Sequence, residues 1–304
     1  MPGPRLLVDP PTVYDRSYGL WSTVQDRSAL AADVHWRNGV TFEPLCGLGG
    51  SFYDDYCLET NPASKADNIS TPVRGATPFV AFAQIDCSPV GYSQDQQRQR
   101  AADALTRSES YQVETAFWTG AAGGDASIVY PHLAANAAVL DTNVIPVTTL
   151  QCAATQVTGS ALLDITEALG RIEAAFGACG NSQGTIHVPM VLGEQLFRAN
   201  AVKAMGAQLV TQTGHLVALG TGYTGSGPDG TLTPNAVWIY MTGPVFGYRT
   251  AIEQFQFRET LDRTENTVRT IAERSYVLGF DCCCLYAVLV SVGGIVTGQP
   301  LGAF

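Results

Sequence analysis

From Gln94 to Trp118 the chain runs 25 residues without a glycine or a proline. It does so directly after about ninety residues that hold many of both. This contrast limits the fold more than any other feature, because an unbroken run of that length predicts a helix about 38 Å long at 1.5 Å per residue. Ser93-Gln94-Asp95-Gln96 matches a capping box at its start, and Gly120 supplies a stop. Ala102, Leu105, Val113, Ala116 and Phe117 mark a narrow apolar stripe, with Arg98, Arg100, Asp103, Arg107 and Glu109 largely elsewhere. No heptad is sustained, so a coiled coil is disfavoured and a spine laid across a sheet is expected over 94–119.

The preceding stretch holds Pro2, Pro4, Pro10, Pro11, Pro44, Pro62, Pro72 and Pro78 among many glycines. A short helix at 28–34 and strands at 40–42 and 79–85 are expected, and the rest reads as extended. Such a stretch cannot bury Trp21, Trp36, Phe42, Phe52, Tyr53 and Tyr56 by itself, so the following domain or neighbouring chains must supply the surface. Residues 1–30 carry Tyr14, Tyr18, Leu20 and Trp21 beside four prolines, and the expectation is an arm laid on another subunit that serves assembly more than folding.

Downstream, Leu162, Ile165, Leu169, Ile172, Phe176 and Cys179 recur every three or four positions after Thr158-Gly159-Ser160 and stop at Gly180. That spacing predicts a helix with one face on a core. A strand at 184–189, a short helix at 190–200 and strands at 209–211 and 216–219 complete a compact α/β unit. Beyond a glycine-rich loop at 220–230 lie strand patterns at 236–240, 245–248, 267–278 and 285–292. The last two are expected to form a long hairpin turning near Gly279-Phe280-Asp281.

At 304 residues, 46% hydrophobic and 14% charged, the chain can bury a full-sized core in one large domain or two smaller ones. Its 17 basic and 27 acidic residues leave a net charge of −10 without a basic block, which argues against a nucleic-acid groove or an anionic-membrane surface built on fixed charge. The apolar run at 285–292 is far shorter than the roughly 20 residues that cross a bilayer as helix. The start, Met1-Pro2-Gly3-Pro4-Arg5, turns polar too soon for a signal peptide, so the product is expected to stay in the cytoplasm where it is made. Eight cysteines are sparse for a disulfide framework at this length, and buried reduced thiols are expected. Cys282, Cys283 and Cys284 are placed at the start of the last buried strand.

Chemical motifs are few. Gly220-Thr221-Gly222-Tyr223-Thr224-Gly225 matches G-x-G-x-x-G, whose last glycine must open a helix facing a pyrophosphate. Ser226-Gly227-Pro228-Asp229-Gly230 forbids that helix, and a flexible surface loop is the stronger reading. A hydrolase would draw on His35, His132, His187 or His215, yet no G-x-S-x-G elbow exists, and Cys46, Cys57, Cys87, Cys152 and Cys179 lack the neighbours of cysteine hydrolases. No C-x-x-C pair offers a zinc site, and Cys282 with Cys284 would give two ligands at most. Asp54, Asp55 and Asp86 read as solvated carboxylates. No catalytic, cofactor-binding or metal residue is assigned, and no cofactor is expected.

The order of parts carries a resemblance: an extended arm and loop, a long capped helix ending Val113-Glu114-Thr115-Ala116-Phe117-Trp118-Thr119-Gly120, an α/β unit, then a return through alternating strands. This resembles the Hong Kong 97-type major capsid proteins of tailed bacteriophages, and less closely the encapsulin shell proteins. In that family the spine helix commonly ends in an acidic residue, an aromatic and a glycine, as Glu114, Phe117 and Gly120 do. The run from Asn266 to Val277, with Arg269 and Arg274, and the apolar strand from Leu285 resemble its last strands. The resemblance implies an α+β fold with an N-terminal arm at 1–30 and an extended loop at 31–77. A peripheral domain with its spine helix would take 78–157, an axial domain 158–249, and return strands of the peripheral domain 250–304. It implies a structural, non-enzymatic protein that self-assembles into pentamers and hexamers of an icosahedral head enclosing double-stranded DNA. That head would be built in the host cytoplasm with separate scaffold and portal proteins, and with decoration proteins in some members. DNA would lie on the inner face without sequence specificity, and no membrane takes part. Some members weld neighbours through a Lys–Asn bond; only Lys65 falls in the loop, with no acidic catalyst to assign, so crosslinking is not expected. The alternatives are an encapsulin-like cargo shell and a cytoplasmic hydrolase using one of the four histidines.

Overall fold

The long helix forms where its signals place it. In the computed structural model, which describes residues 17–30, 34–44, 73–87, 93–121, 129–134, 152–158, 161–180, 183–262, 267–281 and 283–293, α1 spans Gln94–Thr119. Ser93 Oγ accepts from the Gln96 amide at 3.2 Å while Gln96 Oε1 accepts from the Ser93 amide at 2.9 Å, so both halves of the capping box are made. Gly120 ends the helix in the left-handed region at φ 74°, where a Cβ would be strained.

Helix α1 lies across a five-stranded sheet, as a spine should. The central strand β13 (Thr267–Phe280) pairs antiparallel with β4 (Pro78–Cys87) on one edge. On the other edge it pairs first with β12 (Glu253–Asp262) and then with β11 (Val245–Arg249), and β1 (Gln25–Asp26) adds in parallel to β11. A separate ribbon joins β2 (Val40–Phe42) to β3 (Arg74–Ala76).

The second sheet has seven strands in the order β5 (Thr155–Gln156), β14 (Tyr286–Ser291), β10 (Ala236–Thr242), β6 (Thr185–Pro189), β9 (Leu216–Gly220), β8 (Gln208–Thr211) and β7 (Val202–Met205). Both faces of its centre are covered. Trp238, Tyr240, Ala287 and Leu289 join the core under α1, while Ile239, Met241, Val288 and Val290 face α2 (Ile165–Ala178). Burial on both faces explains why β10 and β14 read as unbroken apolar runs. The short helical segment expected at 190–200 appears as a 3-10 turn at Met190–Leu192 and α3 (Gly193–Arg198).

Three expectations are corrected. Residues 17–30 are not an arm detached from their own subunit. Leu20 is 1% exposed in the core with Phe117 and Tyr276, Trp21 stands edge-on to Tyr276 at 5.6 Å, and the Leu219 amide donates to the Tyr18 carbonyl at 2.8 Å. The prolines that argued for an arm all precede residue 17, and the chain after them is free to form a 3-10 turn at Leu20–Ser22. Leu20→Ala is expected to destabilise the subunit by about 2–5 kcal/mol. Urea denaturation showing a loss under 1 kcal/mol would return this segment to assembly. Trp36 stacks on Tyr248 at 5.5 Å and Phe42 meets Phe246 at 5.0 Å, so the same chain supplies their surface. Tyr14, Phe52, Tyr53 and Tyr56 lie outside the described residues.

The hairpin between the last two long strands is the second correction. β13 and β14 belong to different sheets, and so do β10 and β11. The pair β10–β14 continues into the pair β11–β13 as one ribbon that bends from sheet to sheet. At the bend the Gly243 amide donates to the Asp281 carbonyl and the Asp281 amide donates to the Pro244 carbonyl, at 3.0 and 3.2 Å. A Cβ on Gly243 would stand 2.6 Å from the Asp281 Cβ, so the two crossings need this glycine. The expected division at 249/250 is therefore crossed twice, by β11 and by β14.

Helix α2 is the third. It begins at Ile165 rather than after Ser160, because Asp164 is the better cap: its Oδ1 accepts from the amides of Thr166 and Glu167 at 2.8 and 3.0 Å. Leu162 is left outside and exposed.

Candidate functional site at the end of the long helix

Three distant segments meet on the last turns of α1, around Glu114. Its side chain is 1% exposed. Oε1 accepts from the Leu20 amide at 3.3 Å, and Oε2 accepts from the Gly222 amide at 3.0 Å and from Thr221 Oγ1 at 3.3 Å. The neighbouring Thr115 Oγ1 donates to the Gly222 carbonyl at 3.1 Å, and Trp118 Nε1 donates to Ser226 Oγ at 3.1 Å. Tyr240 donates its hydroxyl to the Ser226 carbonyl at 3.0 Å, and Trp118 packs on Tyr223 and Tyr240 with ring centroids 4.8 and 4.9 Å away.

The glycine-rich loop is thus neither a phosphate cradle nor a flexible surface loop. Gly222, Tyr223, Gly225, Ser226 and Gly227 are buried. A Cβ on Gly222 would stand 2.3 Å from the Tyr111 carbonyl oxygen and 2.8 Å from the Thr115 amide nitrogen, so only glycine lets the loop touch the helix backbone. An amide that a nucleotide-binding loop would aim at phosphate is used here on a carboxylate of the same chain.

Beside this junction a cavity of about 520 Å³ opens between α1, the turn at Leu20–Ser22 and β13. Glu109 and Arg274 form an ion pair on its wall at 2.6 Å, with side chains 14% and 17% exposed, and Tyr276 donates its hydroxyl to the same carboxylate oxygen. Burial first, then the Glu109 charge, pushes the Tyr276 phenol well up and keeps it a donor. Arg249 covers the Trp21 ring at 4.4 Å and reaches Asp26 at 3.4 Å.

The four histidines are not brought together. His187 is fully buried in β6, with Nδ1 3.1 Å from the Tyr223 hydroxyl and Nε2 3.1 Å from Thr242 Oγ1. Thr242 donates its own hydroxyl to the Gly243 carbonyl at 2.8 Å, so it accepts from Nε2–H, and Nδ1 accepts from Tyr223. Burial drives the His187 pKa down to about 3, and the ring stays neutral. His132 is held by the Val129 carbonyl at 2.8 Å, with burial lowering its pKa; His215 Nδ1 accepts from the Gly184 amide at 3.1 Å; His35 is exposed. A hydrolytic base needs an accessible hydroxyl or thiol, and His187 has both nitrogens committed inside the sheet.

Cysteine chemistry departs from the expectation of reduced thiols. Cys179 and Cys284 form a disulfide with Cα atoms 6.0 Å apart, and Cys152 and Cys283 are also disulfide-bonded, while Cys87 is free. Cys283 and Cys284 stand in the turn before β14 rather than in the strand. Pairing across 105 residues leaves no trace in local spacing. Among the described residues no three His, Cys, Asp or Glu side chains converge as metal ligands, and no helix is long and apolar enough to cross a membrane. Asp86 pairs with Arg269 at 3.1 Å on the surface; Cys46, Asp54, Asp55, Cys57, Lys65 and Cys282 lie outside the described residues.

No protein-family model matches this sequence, and no curated protein matches it. Solved structures do match. A chain of Mycobacterium phage Bobi superposes with a TM-score of 0.55 at 11% identity, covering 96% of each chain. The capsid of Ralstonia phage GP4 gives 0.53 at 8% identity over 97% of each chain. The capsid of an empty GTA particle computed with C5 symmetry gives 0.50 at 11% identity, over 96% of this chain and 95% of the other. At such identities the likeness is one of fold, and it covers 95–97% of each chain.

Proposed function

We propose, from the Hong Kong 97-type fold that this chain has, that it is the structural subunit of a tailed-phage head. It assembles with copies of itself, in pentamers and hexamers, into an icosahedral shell around double-stranded DNA. The observation that carries this reading is likeness to the capsid of Ralstonia phage GP4 and the capsid of a GTA particle over nearly the whole chain. The buried Glu114 junction supports a structural role, since every polar group described there is spent on joining segments of the same subunit. A net charge of −10 suits a shell that does not grip its packaged DNA. The subunit is built in the host cytoplasm with separate scaffold and portal proteins and resides in the virion.

Electron microscopy of the purified protein tests the reading. Closed shells without a protein cargo are expected, holding nucleic acid where they are purified as whole particles. Shells loaded with an enzyme would favour an encapsulin, and a soluble monomer or dimer under all conditions would sink the proposal.

A further inference from the structure

Cys179 caps the C-terminal end of α2, and Cys284 stands in the turn that leads into β14. Their Cα separation of 6.0 Å lets a disulfide close without moving the backbone. The helix does not need that bond to find its place. Ile165, Leu169, Ile172 and Phe176 are all buried against the seven-stranded sheet, and Asp164 caps the helix from the other end. The bond therefore adds a covalent tie to a contact that apolar burial already makes. Access to it is one-sided, since Cys284 is 2% exposed and Cys179 is half-buried at the helix end.

We propose that Cys179 and Cys284 are a redox latch: two thiols while the subunit folds and assembles, one disulfide after the particle leaves the cell. The change of compartment rests on the shell reading, because cytoplasmic thiols are kept reduced and the exterior is oxidising. The oxidant is a low-molecular-weight disulfide such as oxidised glutathione. The Cys179 thiolate attacks one of its sulfurs, forming a mixed disulfide and releasing one glutathione thiolate. The buried Cys284 thiolate then attacks Cys179 Sγ, and the second glutathione leaves as thiolate. Each protein thiol gives up one proton, and the two electrons end on the two glutathiones.

The test starts with cells expressing the full chain, lysed into N-ethylmaleimide, beside a second sample incubated with oxidised glutathione before trapping. Adducts on both cysteines in the first sample and a Cys179–Cys284 link in the second are expected by peptide mass spectrometry. Oxidation should raise the thermal midpoint by roughly 5–10 °C. The double variant Cys179→Ala/Cys284→Ala, which keeps any other disulfide, should gain clearly less. A link already closed at lysis, or an equal gain in the double variant, overturns the latch. Electron microscopy of the same samples reads the shell separately: shells with a link closed at lysis sink the latch alone, and a thiol pair that closes on oxidation without shells sinks the shell reading and, with it, the change of compartment, while the pair's thiol–disulfide chemistry stands.

Discussion

Gly222→Ala is expected to destabilise the subunit by about 3–5 kcal/mol, among the largest effects of any single methyl group in the chain. The added Cβ would sit 2.3 Å from the Tyr111 carbonyl oxygen, and that oxygen belongs to the backbone of α1, which cannot yield as a flexible side chain would. The loop must retreat, and in doing so it loses the Gly222 amide's bond to Glu114 and the Thr115 bond to the Gly222 carbonyl. Glu114→Ala attacks the same junction from the other side. It leaves the Leu20 and Gly222 amides without their acceptor, at about 1–3 kcal/mol for each buried donor. Because both variants open one junction, the double variant should cost less than the sum of the singles. Gly170→Ala makes the opposite control. Nothing lies within 4 Å of its added Cβ on α2, and a gain of about 0.5–1 kcal/mol is expected. Urea denaturation measures all four; a Gly222→Ala subunit within 1 kcal/mol of the parent would show that the loop is not clamped to the helix.

Acidification to pH 4.5 is expected to remove about 2.7 kcal/mol of stability through His187 alone. Folding lowers this pKa from 6.5 to about 3, so between those values the unfolded chain binds a proton that the folded chain refuses. Stability from this group is fully present above pH 6.5 and falls by about 1.4 kcal/mol for each unit below it, until the folded pKa is reached near 3. His132, also lowered by burial, acts in the same direction, whereas Asp281, raised by burial, opposes it at lower pH. Comparing the parent with His187→Gln cancels both, since glutamine offers a donor and an acceptor but does not titrate. The variant's stability should fall less steeply between pH 6 and 4.5, by about 1.4 kcal/mol per unit. Parallel stability curves would mean that His187 is protonated in the fold or reached by water.

Much of the fold was legible because its signals are local. Ser93, Gln96 and Gly120 set the ends of α1 through bonds that span three or four residues, and the alternation at 267–278 announced β13 without any partner in view. The same locality explains the miss at α2, where Ser160 and Asp164 both lie near the start and the stronger amide acceptor won. The candidate site was less legible. Glu114 was visible only as an acidic residue near the end of a helix, and the loop at 220–230 only as a run of glycines.

By itself, then, the sequence determined the two long helices apart from the start of α2, most strands and the order of parts that resembles a capsid subunit, while the helix expected at 28–34 appears as 3-10 turns at Ser28–Leu30 and Val34–Asn38. Only the tertiary structure decided that Leu20 lies in its own subunit's core, that β11 and β14 exchange sheets, and that Cys179 meets Cys284. Only it decided that Gly222 gives its amide to Glu114. Two of those pairings join residues about a hundred positions apart, as Glu114 is 108 from Gly222 and Cys179 is 105 from Cys284. At that distance neither partner's neighbours carry any record of the other. Which residues meet is settled when the two sheets close on α1 and bury a shared core, and that is a property of the packed chain rather than of any stretch of it.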